Sequence, residues 1–488
     1  MAQLFTSEDA SQAHTRSSSP KTTLEKRAQM KVSHSGRYAV GMSAAILILA
    51  GCGGSQAQVG APATMQQSAA TGGYPNRGDS KRAHGATTGS AFTVSGRFIL
   101  LNGTKFYVKG MVYSPTPIGN GVSDPPSLND PLRDGNSIIW QRDLPLMRAM
   151  GVNVIHIYNV VPPEYDENTG PISKWLDAAW NNGTNPIYVL LTVYFDGSAL
   201  NNDNSARSLA EQYYQLDKKY AAKPAVMGVV ISNEIIKAPW WTSPKWWGNF
   251  NLVATRAKAG FAAGGYPNKI VTTSNDDAII KEGGKDRLAD IYYGEQHGAK
   301  VDVWGDNPYR GRTFTRLFDQ IRLDTTKPVL LTEYGAPASY HPDWANTYFY
   351  PNDLHGVGYC VPTMPSGPKN RNAAELPKSG NPGMDGALDL VTNNAKILYD
   401  GYTRDGVVSG GFYFEWTDEW WKADADVPEF RSKHVGDPVF TGHFPGCAYD
   451  HAWFGLNAIS LTPRKKYFDT LTPRPTLDAI KAEWAKEQ

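Results

Sequence analysis

Ile187-Tyr-Val-Leu-Leu-Thr-Val-Tyr194 is an unbroken apolar run. Residues Ser205–Ala222 follow, with Leu209, Tyr213, Leu216 and Tyr220 at helical spacing, and Val226-Met-Gly-Val-Val-Ile-Ser232 is apolar again. Run, helix and run make one strand–helix–strand unit, and strands this continuous in hydrophobicity are those covered on both faces of a parallel sheet. The same alternation extends outward. Upstream lie the runs Phe106–Val112 and Val152–Tyr158, separated by a helical stretch Ser137–Met150 that ends at Gly151. Downstream lie Ile270–Ser274, Val301–Asn307, Val329–Glu333 and Gly410–Trp416, with helical stretches at Met384–Tyr402 and Thr476–Lys486. Eight such runs with crossover helices predict an α/β fold, a (β/α)8 TIM barrel. An open doubly wound sheet is the alternative, but no Gly-x-Gly-x-x-Gly follows the first run. Before the barrel, Arg97–Val108 holds two β-rich stretches around Asn102-Gly103, the signature of a short N-terminal β-hairpin.

The chain has 488 residues, 41% of them hydrophobic, and a net charge of +1. That suffices for a large core and lacks the positive excess a nucleic-acid binder needs. Its 14 Trp suit either core or sugar-stacking surfaces. Tyr38–Ala50 is too short for a permanent membrane span. It follows Lys31 and Arg37 and ends Leu49-Ala50-Gly51-Cys52, the layout of a secretory signal opening at Met30. The ending resembles a bacterial lipobox, which implies lipidation at Cys52 and export, with membrane contact through the lipid anchor only. Residues 1–52 are thus read as N-terminal extension and signal peptide, 53–90 as a flexible linker, and 91–488 as the catalytic barrel. In an oxidising compartment the remaining Cys360 and Cys447 are expected to form a disulfide bracing the barrel rim. A monomer is expected.

In a barrel of this kind, chemistry sits at the C-terminal ends of the strands. The fourth run ends Asn233-Glu234 and the seventh Thr332-Glu333-Tyr334, across the barrel mouth from each other. Two facing carboxyls are the equipment for glycoside cleavage, one protonating the departing oxygen and the other attacking the anomeric carbon; retention needs them about 5–5.5 Å apart. Long loops are expected after the fourth, seventh and eighth strands. The seventh carries Tyr340, Trp344 and Tyr348–Tyr350 and reads as an active-site wall.

Val226-Met-Gly-Val-Val-Ile-Ser-Asn-Glu234 and Lys327-Pro-Val-Leu-Leu-Thr-Glu-Tyr-Gly335 resemble the fourth- and seventh-strand signatures of clan A retaining glycoside hydrolases. The nearest likenesses are the barrel domain of glycoside hydrolase family 2 and the β-1,3-glucanosyltransferases of family 72. The resemblance implies Glu234 as acid/base, Glu333 as nucleophile, Asn233 on the sugar 2-hydroxyl, Tyr309 on the nucleophile carboxylate and Trp416 beneath the sugar. It implies a retaining hydrolase or transglycosylase acting on a β-linked glucan-like substrate. Asn233 could instead satisfy backbone groups, and Trp416 could be plain core. The chain departs from the pattern at His156, where the clan usually carries an Arg that supports the nucleophile. Trp240, Trp241, Trp246 and Trp247 after the fourth run, and Trp420 after the eighth, are read as sugar platforms. Asp424 and Asp426 lack a calcium-loop signature. No His-Glu-x-x-His, Cys-x-x-Cys, Walker or Gly-x-Ser-x-Gly motif is present, so neither metal nor cofactor is expected. A non-catalytic carbohydrate-binding lipoprotein on the same barrel is the competing function.

Overall fold

The unit at 187–232 is present in the computed structural model of the chain as a strand, a helix and a second strand, and it repeats around one parallel sheet. The structure describes residues 90–121, 132, 136–160, 172–314, 316–338, 348–350, 359–361, 382–423, 431–432, 434, 439–440, 448–449, 451–463, 465–466 and 468–487. The expected signal peptide, Cys52, most of the linker, Tyr340, Trp344, Asp424, Asp426 and Cys447 lie outside them, as does the side chain of Cys360.

The sheet strands are β1 (Val108–Val112), β2 (Val154–His156), β3 (Tyr188–Thr192), β4 (Val226–Val230), β5 (Ile270–Thr272), β6 (Asn275–Asp276), β7 (Trp304–Asn307), β8 (Val329–Tyr334) and β9 (Gly410–Tyr413). All nine run parallel in one curled sheet, in the order β5-β4-β3-β2-β1-β9-β8-β7-β6. Its two ends are consecutive in the chain. Ile270–Thr272 pairs with Gly228–Val230, and Asn275–Asp276 pairs with Asp306–Asn307. A Cβ on Gly305 would run into the Thr273 carbonyl, so β7 can approach this passage only because it carries a glycine there.

The helices are α1 (Ser137–Met150), α2 (Ser173–Trp180), α3 (Asp203–Tyr220), α4 (Pro244–Ala263), α5 (Ala289–Gln296), α6 (Leu317–Asp324), α7 (Pro382–Asp400) and α8 (Pro475–Lys486). Local signals set their ends. Gly151, at φ 100°, closes α1 by returning its N–H to Met147 and Arg148. The Asn202 side chain caps α3 by accepting from Asn204 and Ser205 N–H groups, which starts it two residues before the expected Ser205. Ser243 caps α4 ahead of Pro244 at its first turn.

The hairpin at Asn102-Gly103 forms between Phe98–Leu101 and Thr104–Lys105, with both turn residues at positive φ. A further strand, Phe92–Ser95, pairs with its outer side. Lys269 ties this element to the sheet: its buried Nζ donates to the carbonyls of Ser90 (2.9 Å) and Val226 (2.6 Å). The loop after β4 runs only from 231 to 243 before α4 begins, shorter than the sequence suggests.

Candidate active site

The end of β4 turns sharply. Ser232 and Glu234 both take positive φ, 54° and 50°, a conformation that costs a non-glycine residue about 1 kcal/mol or more. The surroundings hold them there. Ser232 Oγ donates to the Phe195 carbonyl (2.7 Å) and accepts from its N–H (3.0 Å). The Tyr213 hydroxyl of α3 accepts from the Ser232 N–H (3.0 Å) and can donate to the Val230 carbonyl (2.8 Å). Glu234 N–H donates to the Ser274 carbonyl at 2.7 Å.

Glu333 lies near the end of β8 and is 2% exposed. One carboxylate oxygen accepts from the Tyr158 hydroxyl (2.5 Å) and the other from the Tyr309 hydroxyl (2.8 Å). Burial raises its pKa above the ordinary range, while those two hydroxyls and the Lys422 ammonium pull it back down. Glu234 is different. Burial, the Glu333 charge and Asp276 push it up to about 8, against weaker opposition from Lys237 and Asn307. At neutral pH, then, Glu234 holds its proton while Glu333, with two donors facing its oxygens, is the better-supported anion.

Asn307 links the two carboxyl strands. Its Oδ1 accepts from the Thr332 hydroxyl (2.7 Å), which turns its amide NH2 toward Glu234 Oε1 (3.2 Å) and Asn233 Oδ1 (3.3 Å). Asn233 Oδ1 also accepts from Ser274 Oγ at 2.6 Å. Trp416 is 1% exposed, and its indole N–H meets no acceptor among the described residues.

The structure brings Glu234, Glu333, Asn233 and Tyr309 into one group together with Tyr158, Asn307, Thr332, Ser274 and Lys422, which the sequence motifs do not assign. Tyr158 had a signal: it stands two residues after His156, on the same face of the extended chain.

His156 itself is a correction. It is fully buried, between the rings of Tyr158 (5.2 Å) and Phe412 (5.7 Å), and burial lowers its pKa to about 4. It is neutral near pH 7, and neither of its ring nitrogens bonds Glu333. The tryptophans divide. Trp246 and Trp247 belong to the first turns of α4 and are buried, so they are core rather than platforms. Trp240 and Trp241 are half-buried; Trp240 stacks on Trp246 (6.4 Å, 4°) and Trp241 on Tyr293 (6.2 Å, 14°). Half-buried Trp420 has one face against His434 (5.1 Å, 6°), which in turn lies on Trp453 (3.6 Å). Among the described residues no group of His, Cys, Asp and Glu could hold a metal ion.

A sequence model described as Glucanosyltransferase matches residues 84–251, a stretch that contains Asn233 and Glu234 and ends before Glu333. Among curated proteins, the chain is 26% identical over 248 residues to the 1,3-beta-glucanosyltransferase GAS5 of Saccharomyces cerevisiae, covering 48% of this chain and 46% of that one. It is 23% identical over 256 residues to the 1,3-beta-glucanosyltransferase gas1 of Schizosaccharomyces pombe, covering 50% and 43%. The match thus spans under half the length of each relative. Among solved structures the chain is similar to a GH2 beta-galacturonidase from Eisenbergiella tayi, at 14% identity and a TM-score of 0.48, covering 81% of this chain and 54% of that one. The beta-glucuronidase of Bifidobacterium dentium gives the same identity and TM-score, covering 81% and 49%. Over residues 84–251, which hold the Asn233-Glu234 strand end, the chain is similar in sequence to the family 72 glucanosyltransferases.

Proposed function

We propose that the chain is a retaining β-glucan transglycosylase or hydrolase, with Glu333 as nucleophile and Glu234 as acid/base. The observation that carries this is the split between two neighbouring carboxyls: Glu333 between two tyrosine hydroxyls, and Glu234 pushed up to about 8. In the first step a Glu333 oxygen attacks the anomeric carbon, the glycosidic C–O bond breaks, and Glu234 gives its proton to the departing oxygen. Glycosylation neutralises Glu333, which removes one of the charges that raise Glu234. Glu234 then takes a proton from an incoming hydroxyl, and that oxygen attacks the anomeric carbon and expels Glu333. Asn233 is assigned to the sugar 2-hydroxyl, Trp416 to the floor of the site, and Trp240, Trp241 and Trp420 to the flanking sugar contacts. The names of the relatives support a 1,3-β-glucan as substrate.

The same reading takes the sheet as a closed (β/α)8 barrel in which 270–276 is one fifth strand that changes partner at Thr273; the pairing of its two halves with β4 and β7 supports this. It also takes the chain as exported and tethered through Cys52, so that Cys52→Ser should release it from membranes.

The test is incubation with a defined β-1,3-gluco-oligosaccharide, with sizing of the products. Products longer than the substrate mean transfer, and shorter ones alone mean hydrolysis. Glu333→Gln and Glu234→Gln should each remove turnover, and a 2-fluoro β-glucoside should leave its adduct on Glu333. No turnover and no adduct with any β-glucan would leave a carbohydrate-binding protein.

A further inference from the structure

A nucleophilic carboxylate in a buried site needs a compensating positive field, and β2 does not supply one, because His156 is neutral. The turn Trp420–Ala423 after β9 carries a cation, Lys422. Lys422 Nζ lies 3.2 Å from Glu415 Oε1 and 2.5 Å from Glu419 Oε2. Ser114 Oγ fixes the same group from β1's end, donating to Glu419 Oε1 at 2.9 Å. The ammonium stands 4.3 Å from the centroid of the Phe414 ring. That ring packs against Tyr158 (6.4 Å) and Tyr309 (6.5 Å), the two donors to Glu333. Lys422, the tyrosines and the nucleophile thus form one packed group around Phe414.

We propose that Lys422 is a positioning residue for the nucleophile's charge: held by Glu415 and Glu419 over Phe414, its ammonium supplies the field that keeps Glu333 ionised, in place of a strand-two arginine. The inference rests on the glycosyl-transfer reading of Glu333. The groups facing Glu333 are Tyr158, Tyr309, Lys422, Asp276 and Glu234. Those facing Lys422 are Glu415, Glu419, Glu333 and His451, and burial keeps His451 neutral. Burial and Glu419 hold Glu415 well above the usual carboxylate range, so Glu415 offsets the ammonium less than a full charge would. The ammonium lowers Glu333.

The experiment is the pH dependence of kcat/KM on a β-1,3-gluco-oligosaccharide for the full chain and its Lys422 variants. Glu333 must be ionised to attack, so its pKa sets the acid limb. Lys422→Met should move that limb up by about one pH unit, the scale of losing an opposite charge nearby. Lys422→Arg should restore it. The alkaline limb, set by Glu234, should move less, since the groups that chiefly shift Glu234 are Glu333, Asp276, Lys237 and Asn307. Glu419→Gln should move the acid limb the other way, because it leaves the ammonium less compensated. Where Lys422→Met does not fold, the Glu419→Gln shift decides alone. A folded Lys422→Met with an unmoved acid limb, or with a loss equal at every pH, overturns the proposal. If the wild type turns over no β-glucan, the functional reading is what fails. The Glu333 carboxyl titration, followed by 13C NMR against a Glu333→Gln reference, still tests the Lys422 field without turnover.

Discussion

At Glu333 burial outweighs hydrogen bonding, and two phenols are the largest opposition to it. Each supplies a bond to a charged acceptor, a class worth about 1.5–3 kcal/mol. Tyr309→Phe should therefore lower kcat/KM about tenfold or more and raise the acid limb of its pH profile, read by steady-state kinetics. Tyr158→Phe should do the same. The wild-type profile should be a bell. The proposed mechanism needs Glu333 ionised and Glu234 protonated, so activity should fall as pH drops through the raised Glu333 pKa, and fall again above about 8 as Glu234 loses its proton. The two glutamates and Tyr309 are legible in sequence because strand-end motifs fix where they stand. Tyr158 is legible only through its two-residue offset from His156, and Lys422 is not, because its part in the site depends on which rings Phe414 touches and no spacing rule encodes that.

The elements were mostly legible, and their failures are instructive. All eight apolar runs became sheet strands, because a strand buried on both faces needs an unbroken apolar sequence. The fifth run divides where its partner changes from β4 to β7, and an apolar run carries no information about partners. Helix α4 was hidden by its tryptophans. Trp246, Phe250, Val253 and Ala257 are spaced for one helix face, and Ser243-Pro244 is a good start signal, yet clustered indoles also look like a sugar surface. Trp246→Ala should cost about 3–5 kcal/mol of stability by denaturant titration, as for other buried aromatics. At the start of α3, Asn202→Ala should cost about 1 kcal/mol through the lost cap.

For the molecule as a whole, buried charge sets the response to pH. Asp290 is raised to about 8 by burial, and Asp306 lies well above its normal range through burial and the nearby Asp277 and Asp290. An acid whose folded pKa exceeds its unfolded value stabilises fully below the unfolded value, here 3.8, and loses that contribution as pH rises through the folded one. His156 and His451, held neutral with pKa values of about 4 and 3, work the other way and destabilise as pH falls below 6.5. Between pH 6.5 and 8 only the raised acids titrate among these groups, so the melting temperature should fall across that interval, by up to about 2 kcal/mol of stability per group. Asp290→Asn should flatten the slope. Asp418, paired at 2.6 Å through both oxygens with buried Arg474, should behave differently: Asp418→Asn strands the guanidinium, at a cost of about 3–5 kcal/mol.

The pairing of β1 with β9 has a cost in time. Val108 meets Gly410, so the first strand of the sheet waits for about 300 further residues before its outer neighbour exists. At roughly 5–20 residues per second that is about 15–60 s of synthesis. Through that interval one side of Val108–Val112 offers an open ladder to any other nascent chain. A holding chaperone is expected to raise the yield of soluble protein more than a stabilising mutation would, because the vulnerable species precedes the folded state.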